Sequence, residues 1–478
     1  MKRYKKLGIL LTVLVVICIA TFALSQYEQA QEEIRSSDEV ILEIPRDSVT
    51  ALSWEYTEEG YLAFHKGESS WVYDEDEAFP VSEDKVMEIL SHFEALQASF
   101  IIENVEDYNQ YGLDDPECTL HISTEDTTYD IKLGDFSKMD EQRYVDIGDG
   151  NVYLLSEDPM DYVDPALSAM IEDDDTPAFE NVVDISFTGT ENYTIDRIED
   201  SGYSYSDQDV YFVQENGAYL PLDTSAVTTY LNTITALDLL TYVTYNATDE
   251  ELAAYGLDSP ELSITVNYTY TDENAEDGQP IAGSCVIHIG QNQEELQAAQ
   301  ESEDDSVTED SVTKYVRIGD SQIVYELDSV DYAILSDAAY SDLRHKEVFW
   351  GDFADVCQVD VTLEGTTHTL VSERNDEDER LWYYQEVTEE ADALDLTAFQ
   401  DALESLTADT FTDEAPAEKE EIRLTLYLDN ENFPQVEIVL YRYDGTSCLA
   451  AVDGESVSLV SRSTVMDLVE AVQAIVLD

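Results

Sequence analysis

Tyr111-Gly112-Leu113-Asp114-Asp115-Pro116 recurs as Tyr255-Gly256-Leu257-Asp258-Ser259-Pro260, with similar sequence on both sides of the two copies. Glycine readily takes a positive backbone torsion, and proline pushes the residue before it toward an extended conformation. Each hexapeptide therefore predicts a tight corner that ends one element and aims the next strand. Gly, Asp and Pro dominate turns for conformational reasons, so the corner specifies shape and carries no chemistry of its own.

Upstream of the first corner, residues 49–54, 61–64 and 71–73 are short β-rich runs parted by polar turns, as in a meander. Ser82 followed by Glu83 and Asp84 predicts a helix start, and Val86, Ile89, Leu90, Phe93 and Leu96 recur at helical spacing. Downstream, 119–122, 129–133 with Gly134, and 144–154 read as strands, the last stretch turning at Gly148-Asp149-Gly150-Asn151. The second corner sits in the same order. Strands at 183–187, 193–195 and 210–213 lead to a helix capped near Asp223, with Val227, Leu231, Ile234 and Leu237 on one face; strands at 262–266, 286–289 with Gly290, and 315–327 follow. A third stretch lacks the corner but keeps the order: strands at 359–363, 368–371 and 382–383, a helix capped at Thr397 with Phe399, Ala402, Leu403 and Leu406, then strands at 424–428, 436–440, 449–454 and 457–460. Helical segments at 162–171, 332–343 and 464–476 close the three stretches. Periodicity and punctuation recurring together point to duplication.

Ahead of all this, Lys2, Arg3, Lys5 and Lys6 precede the uncharged run 7–24, LGILLTVLVVICIATFAL. Such a run is long enough to span a bilayer, and its basic flank stays cytoplasmic. A cleaved signal peptide is the alternative, with Ala23 and Ser25 suitably small for cleavage before Gln26. Bulky Ile17 before Cys18 argues against lipidation. The expected fold is thus α+β: three tandem repeats, each an antiparallel β-sheet with a helix packed on one face, after one N-terminal transmembrane helix. The expected divisions are a cytoplasmic basic end at 1–6, the anchor at 7–24, a polar stalk or frayed helix at 25–45, and repeats at 46–172, 180–345 and 352–478, with an acidic disordered loop near 294–310. The expected location is the cell membrane, single-pass, with the bulk extracellular.

The chain holds 107 acidic and 22 basic side chains, a net charge of −85. That field repels phosphate backbones, which excludes nucleic acid as a partner, and it favours weakly bound divalent cations. Five cysteines are too few for a disulfide scaffold. Cys118, Cys285, Cys357 and Cys448 read as buried free thiols, with a Cys357–Cys448 bridge as the alternative.

No motif points to a reaction. The histidines at 65, 92, 121, 288, 345 and 368 are scattered, without an HExxH. Cys118 with His121, and Cys285 with His288, sit three apart on strands and so face opposite sides. The acidic run 272–278 partly matches a calcium-loop spacing, but Asp277 stands at the glycine position and Gly283 at the closing glutamate. Runs 74–77, 172–175 and 376–380 read as exposed acidic turns. Nucleophile elbows and phosphate loops are absent. Catalytic, cofactor-binding and metal residues, and any cofactor, are therefore expected to be none, a carboxylate-dependent hydrolase being the residual enzymatic reading. Trp54, Trp71, Trp350 and Trp382 suit either core packing or a glycan groove.

The short basic N-terminus, single span, W-x-Y strand before a capped helix, YGLDxP corner and closing Y-V-x-I-G-D hairpin together resemble a bacterial domain family of unknown function associated with gliding-motility-type ABC transport systems. The resemblance covers nearly the whole outer part and weakens in the third stretch. It implies a non-enzymatic, membrane-anchored extracytoplasmic accessory or scaffold protein beside an ABC permease and ATPase. The alternative is a cell-surface module binding glycan or envelope polymer.

Overall fold

The protein was analysed as a computed structural model that describes residues 33–57, 60–271, 279–302, 308, 311–375, 380–385, 393–417 and 419–477. Alternating apolar residues set its character. In Glu420–Leu428 the side chains of Ile422, Leu424, Leu426 and Leu428 are buried while those between them are not, and Cys118, Leu120 and Ile122 do the same in Cys118–Thr124. Each fully buried leucine or isoleucine contributes about 1.5–3 kcal/mol, so strands with one apolar face assemble into sheets.

The first sheet contains β1 (Glu33–Glu43), β2 (Val49–Tyr56), β3 (Gly60–Lys66), β4 (Trp71–Tyr73), β5 (Ala95–Glu103), β6 (Cys118–Thr124), β7 (Thr128–Ser137), β8 (Gln142–Asp146) and β9 (Val152–Leu155), in the order β1-β5-β9-β8-β7-β6-β2-β3-β4. Trp54, Leu120 and Ile131 stand opposite one another across β2, β6 and β7 and are wholly buried. Helix α1 (Glu83–Phe93) buries Val86, Ile89, Leu90 and Phe93.

In the second sheet β10 (Asn181–Gly189), β11 (Tyr193–Arg197), β12 (Tyr211–Glu215), β13 (Ala218–Pro221), β15 (Leu262–Tyr270), β16 (Ile281–Gln291), β17 (Lys314–Ile318) and β18 (Val324–Leu327) run β13-β12-β11-β10-β15-β16-β17-β18. Its helices are α2 (Thr224–Thr235), α3 (Asp249–Ala254), α4 (Gln293–Glu301), α5 (Ser329–Ser336) and α6 (Tyr340–Leu343). The third sheet, β21-β20-β19-β23-β24-β25-β26-β22, is built from β19 (Val356–Leu363), β20 (Thr366–Arg374), β21 (Arg380–Tyr384), β22 (Ala408–Phe411), β23 (Glu420–Leu428), β24 (Gln435–Arg442), β25 (Ser447–Val452) and β26 (Glu455–Ser461). Helices α7 (Thr397–Glu404) and α8 (Arg462–Leu477) pack together, burying Phe399, Leu403, Leu468 and Val472. The chain forms two compact units. One ends at Asp174 and takes in Leu239–Asn246, where β14 (Tyr242–Thr244) lies; the other is Asp175–Asp238 with Ala247–Asp478.

Both corners form as turns on left-handed glycines, Gly112 at φ 70° and Gly256 at φ 69°. Leu113 and Leu257 are buried behind them, and Tyr111 packs on Tyr144 at 4.8 Å as Tyr255 packs on Tyr315 at 4.5 Å. The second glycine of each stretch takes the corner's backbone. A Cβ on Gly134 would lie 2.3 Å from the Tyr111 carbonyl oxygen, and one on Gly290 would lie 2.5 Å from that of Tyr255.

The expectation of three tandem repeats, each an antiparallel sheet with a helix on one face after a transmembrane helix, is corrected. Strand outweighs helix, 43% to 22%, and the chain is mostly antiparallel β in three sheets. Alternating burial runs through all three, but among the described residues helices do not recur as a set: α1 alone accompanies the first sheet, against α2 to α6 for the second. The segment 162–171 holds only a short 3-10 turn, Leu167–Met170, because Pro165 interrupts it. Among the described residues no helix is long and apolar enough to cross a membrane, and the run 7–24 lies outside them. Strand β1 replaces the frayed helix expected in the stalk, because β5 offers it a hydrogen-bonding edge; Leu96, read as helical, belongs to β5 and faces Leu42. Half of the acidic loop near 294–310 is helix α4, whose first turn is capped by Asn292 on the Glu294 and Glu295 amides. The acidic run 272–278 lies outside the described residues.

Backbone pressed on glycine has a measurable consequence. Gly134→Ala and Gly290→Ala are each expected to lower unfolding stability by roughly 2–4 kcal/mol, while Gly445→Ala, where an added Cβ meets nothing within 4 Å, leaves it unchanged. Urea titration followed by tryptophan fluorescence measures all three.

Candidate functional site

Within the second unit, three segments converge on one carboxylate. The loop after β11 carries Ser204, Tyr205 and Asp209; α2 begins at Asp223; and the extended stretch after α6 carries His345, Glu347 and Trp350. Thr224, in the first turn of α2, ties the loop down by donating to the Gln208 carbonyl and accepting from the Val210 amide. The Asp223 amide donates to Leu343 at 2.9 Å, which sets the start of α2 beside the stretch holding His345. Tyr205 then stacks on Phe349 at 5.4 Å and packs at a tilt on Trp350 at 4.6 Å, placing the loop in the core of the third sheet.

Asp209 is 4% exposed and accepts three hydrogen bonds. His345 Nε2 donates to its Oδ1 at 2.9 Å, Trp350 Nε1 donates to Oδ2 at 3.0 Å, and the Ser204 hydroxyl donates to Oδ2 as well. A carboxylate buried this far is tolerable only when so satisfied. His345 lies flat on Trp350, with ring centres 4.7 Å apart and planes 8° from parallel. Serine, histidine and aspartate occur together, yet both other residues meet the carboxylate. His345 is therefore engaged with Asp209 and not set against the Ser204 hydroxyl, as the base of a serine nucleophile would be.

The other ring nitrogen of His345, whose side chain is 12% exposed, lies toward Glu347. An ionised Asp209 can only accept, so Nε2 carries a proton; in the neutral ring that leaves the lone pair at Nδ1. Glu347 Oε2 lies 3.9 Å from Nδ1, and single ligand atoms from Asp223, His345 and Glu347 lie within 4.8 Å of one another. This is the group in the described residues with the donor types of a metal centre.

Two other clefts have a buried or part-buried cation nearby. One of about 690 Å³ is lined by Lys314, Glu326, Asp328 and Tyr332. Lys314 donates to Gln291 at 2.7 Å and sits 4.4 Å over the Tyr332 ring, while Glu261 accepts from Gln291 and Tyr332. In the first unit, grooves meet at Tyr162, which stacks on His92. Beside them Arg143 is held by Asp158, Glu117 and the Gly134 carbonyl at 2.7, 2.7 and 2.6 Å. Burial disfavours the Arg143 charge, but Asp158 and Glu117 outweigh it and hold its pKa above the usual value.

The cysteines of the described residues are free, and those at 118, 285 and 448 are buried. Burial raises the Cys285 and Cys448 thiols to about 11 and Cys118 to about 12, so they stay protonated at neutral pH. Cys118 and His121 do lie on opposite faces of β6: the thiol is buried and His121 meets Asp130 at 2.6 Å. Trp54, Trp71 and Trp382 are 0%, 3% and 6% exposed and cannot line a glycan groove. The run 172–175 is no simple exposed turn, since Asp173 receives Lys85 at 3.4 Å. Sequence reasoning missed the Asp209 network and the Asp223, His345 and Glu347 group. His345-x-Glu347 was the one local signal, two residues on the same side of an extended chain; Asp209 and Asp223 are far upstream.

A family model described as "Domain of unknown function (DUF4340)" matches residues 71–211 and 213–425. No curated protein and no solved structure matches the chain.

Removing the carboxylate in Asp209→Ala strands the Trp350, His345 and Ser204 donors and should cost roughly 2–4 kcal/mol in urea unfolding, against about 1 kcal/mol for Ser204→Ala. Thiol alkylation gives an independent check of burial. With a pKa of about 11, Cys285 is thiolate in roughly one molecule in a thousand at pH 8. Iodoacetamide with peptide mapping should therefore label half-buried Cys357 first and reach Cys118, Cys285 and Cys448 only after urea is added.

Proposed function

The chain belongs to DUF4340, a family of domains of unknown function, and on that premise we propose that it is a non-enzymatic, membrane-tethered extracytoplasmic accessory or scaffold protein of an ABC-type transport system. The observation that carries this reading is the basic cluster Lys2, Arg3, Lys5 and Lys6 directly before the uncharged run 7–24, ahead of a long acidic, β-rich part. An acidic surface is repelled by anionic headgroups, so attachment to a bilayer falls to the apolar run. The basic flank supports a cytoplasmic start of the chain with the sheets outside. Ser204 is engaged with Asp209, and the buried thiols are held protonated, which supports a structural role for both.

A second reading, a surface module for glycan or envelope polymer, is favoured by Tyr203. This side chain is 45% exposed and packs at 4.5 Å on Tyr219, leaving an aromatic surface open to a sugar ring.

Affinity purification of the full chain from membranes in mild detergent is expected to recover a permease and an ATPase subunit. Repeated recovery of the chain alone counts against the transport reading. Binding to a glycan array that is lost in Tyr203→Ala would favour the second.

A further inference from the structure

We propose that Asp223, His345 and Glu347 form a binding site for a divalent transition-metal ion of the zinc type, with Asp209 as the residue that positions the histidine. The site goes beyond the accessory function and does not depend on it.

The donor set is one imidazole nitrogen and two carboxylate oxygens. Imidazole suits zinc and its neighbours, whereas calcium and magnesium take oxygen ligands. Each donor has an atom to give. His345 Nδ1 has no hydrogen bond to Glu347, whose nearest oxygen at 3.9 Å is beyond hydrogen-bond reach. Asp223 caps α2 through Oδ1 alone, which accepts from the Ser225 and Ala226 amides, leaving Oδ2 for a metal. Glu347 is 43% exposed at its side chain.

The ligand atoms lie within 4.8 Å of one another. Tetrahedral coordination at metal–ligand distances of about 2.0–2.1 Å sets ligand atoms about 3.3 Å apart. The half-exposed Glu347 side chain is the ligand best able to adjust, while Asp223 is held by its cap and His345 by Asp209. Three protein ligands leave at least one coordination position open.

The arrangement behind the histidine distinguishes this group from the acidic turns elsewhere on the chain. Metal-ligating histidines characteristically donate their second ring N–H to a carboxylate, which fixes the tautomer and raises the basicity of the ligating nitrogen. Asp209 does this from a site where it is 4% exposed, and Trp350 both donates to the same carboxylate and lies flat under the imidazole ring. His345 is thereby held by a hydrogen bond at Nε2 and a stacked indole, with Nδ1 left for a metal.

The test uses the full chain in detergent, with excess Mg²⁺ to occupy diffuse carboxylate sites. Calorimetric titration with Zn²⁺ should show one saturable site, and Co²⁺ should give a visible d–d absorption band that Zn²⁺ displaces. Glu347→Gln, a half-exposed substitution that leaves the fold intact by circular dichroism, should weaken Zn²⁺ binding at least tenfold. Asp209→Asn keeps all three ligands but lets the amide N–H donate to Nε2, moving the ring proton to Nδ1. It should weaken binding about 10–100-fold, and the ¹⁵N shifts of His345 should report the tautomer change without metal. Absence of saturable Zn²⁺ uptake in excess Mg²⁺, or wild-type affinity in Glu347→Gln, overturns the proposal.

Discussion

Backbone packed directly on glycine is the constraint from which much of the first two sheets follows. The carbonyl oxygens of Tyr111 and Tyr255 occupy the space where Gly134 and Gly290 would carry a Cβ. That contact pins the turn before β6 to β7, and the turn before β15 to β16, so it joins the corner to the next hairpin. It also positions cations. The Gly134 carbonyl accepts from Arg143, and Gln291, next to Gly290, accepts from Lys314. Glu117 and Glu261, each just after the proline of its corner, complete the two clusters by accepting from Arg143 and Gln291.

The scarcity of basic residues gives those contacts their weight. With 22 basic side chains against 107 acidic ones, self-repulsion across the surface opposes compaction. The cations are accordingly used where several acids meet. Arg423 lies between Glu420 and Glu437 at 2.7 and 2.9 Å, Arg442 meets Glu421 at 2.9 Å, and Arg380 meets Asp429, whose pKa this pairing lowers. Exposed pairs of this kind contribute little singly; their role is to relieve local repulsion in an acidic chain.

The Asp209 cluster follows a different logic, because its cost is burial instead of repulsion. A carboxylate removed from water must be met by donors, and indole, imidazole and hydroxyl groups supply them. Meeting that requirement holds the His345 ring through Nε2, with Nδ1 3.9 Å from Glu347 and Asp223 in the same group. A structural need and a ligand geometry thus arise from the same three hydrogen bonds.

Read alone, the chain determined those features that depend on near neighbours: the left-handed corner glycines, the alternating strands from Cys118 and Leu262, the buried faces of α1 and α2, and the free thiols. Torsional preference and period-two burial act within a few residues and are legible there. Pro165, a local signal, breaks the helix expected at 162–171, and similar punctuation in three stretches does not carry a matching set of helices. Strand β1, in contrast, reads as stalk because its pairing edge, β5, lies far along the chain. The Asp209 cluster was out of reach for the same reason. Ser204, Asp209, Asp223, His345 and Trp350 belong to separate segments, and only tertiary packing decides which distant carboxylate meets which ring, because the energy that joins them comes from burial of the assembled core and not from any one stretch.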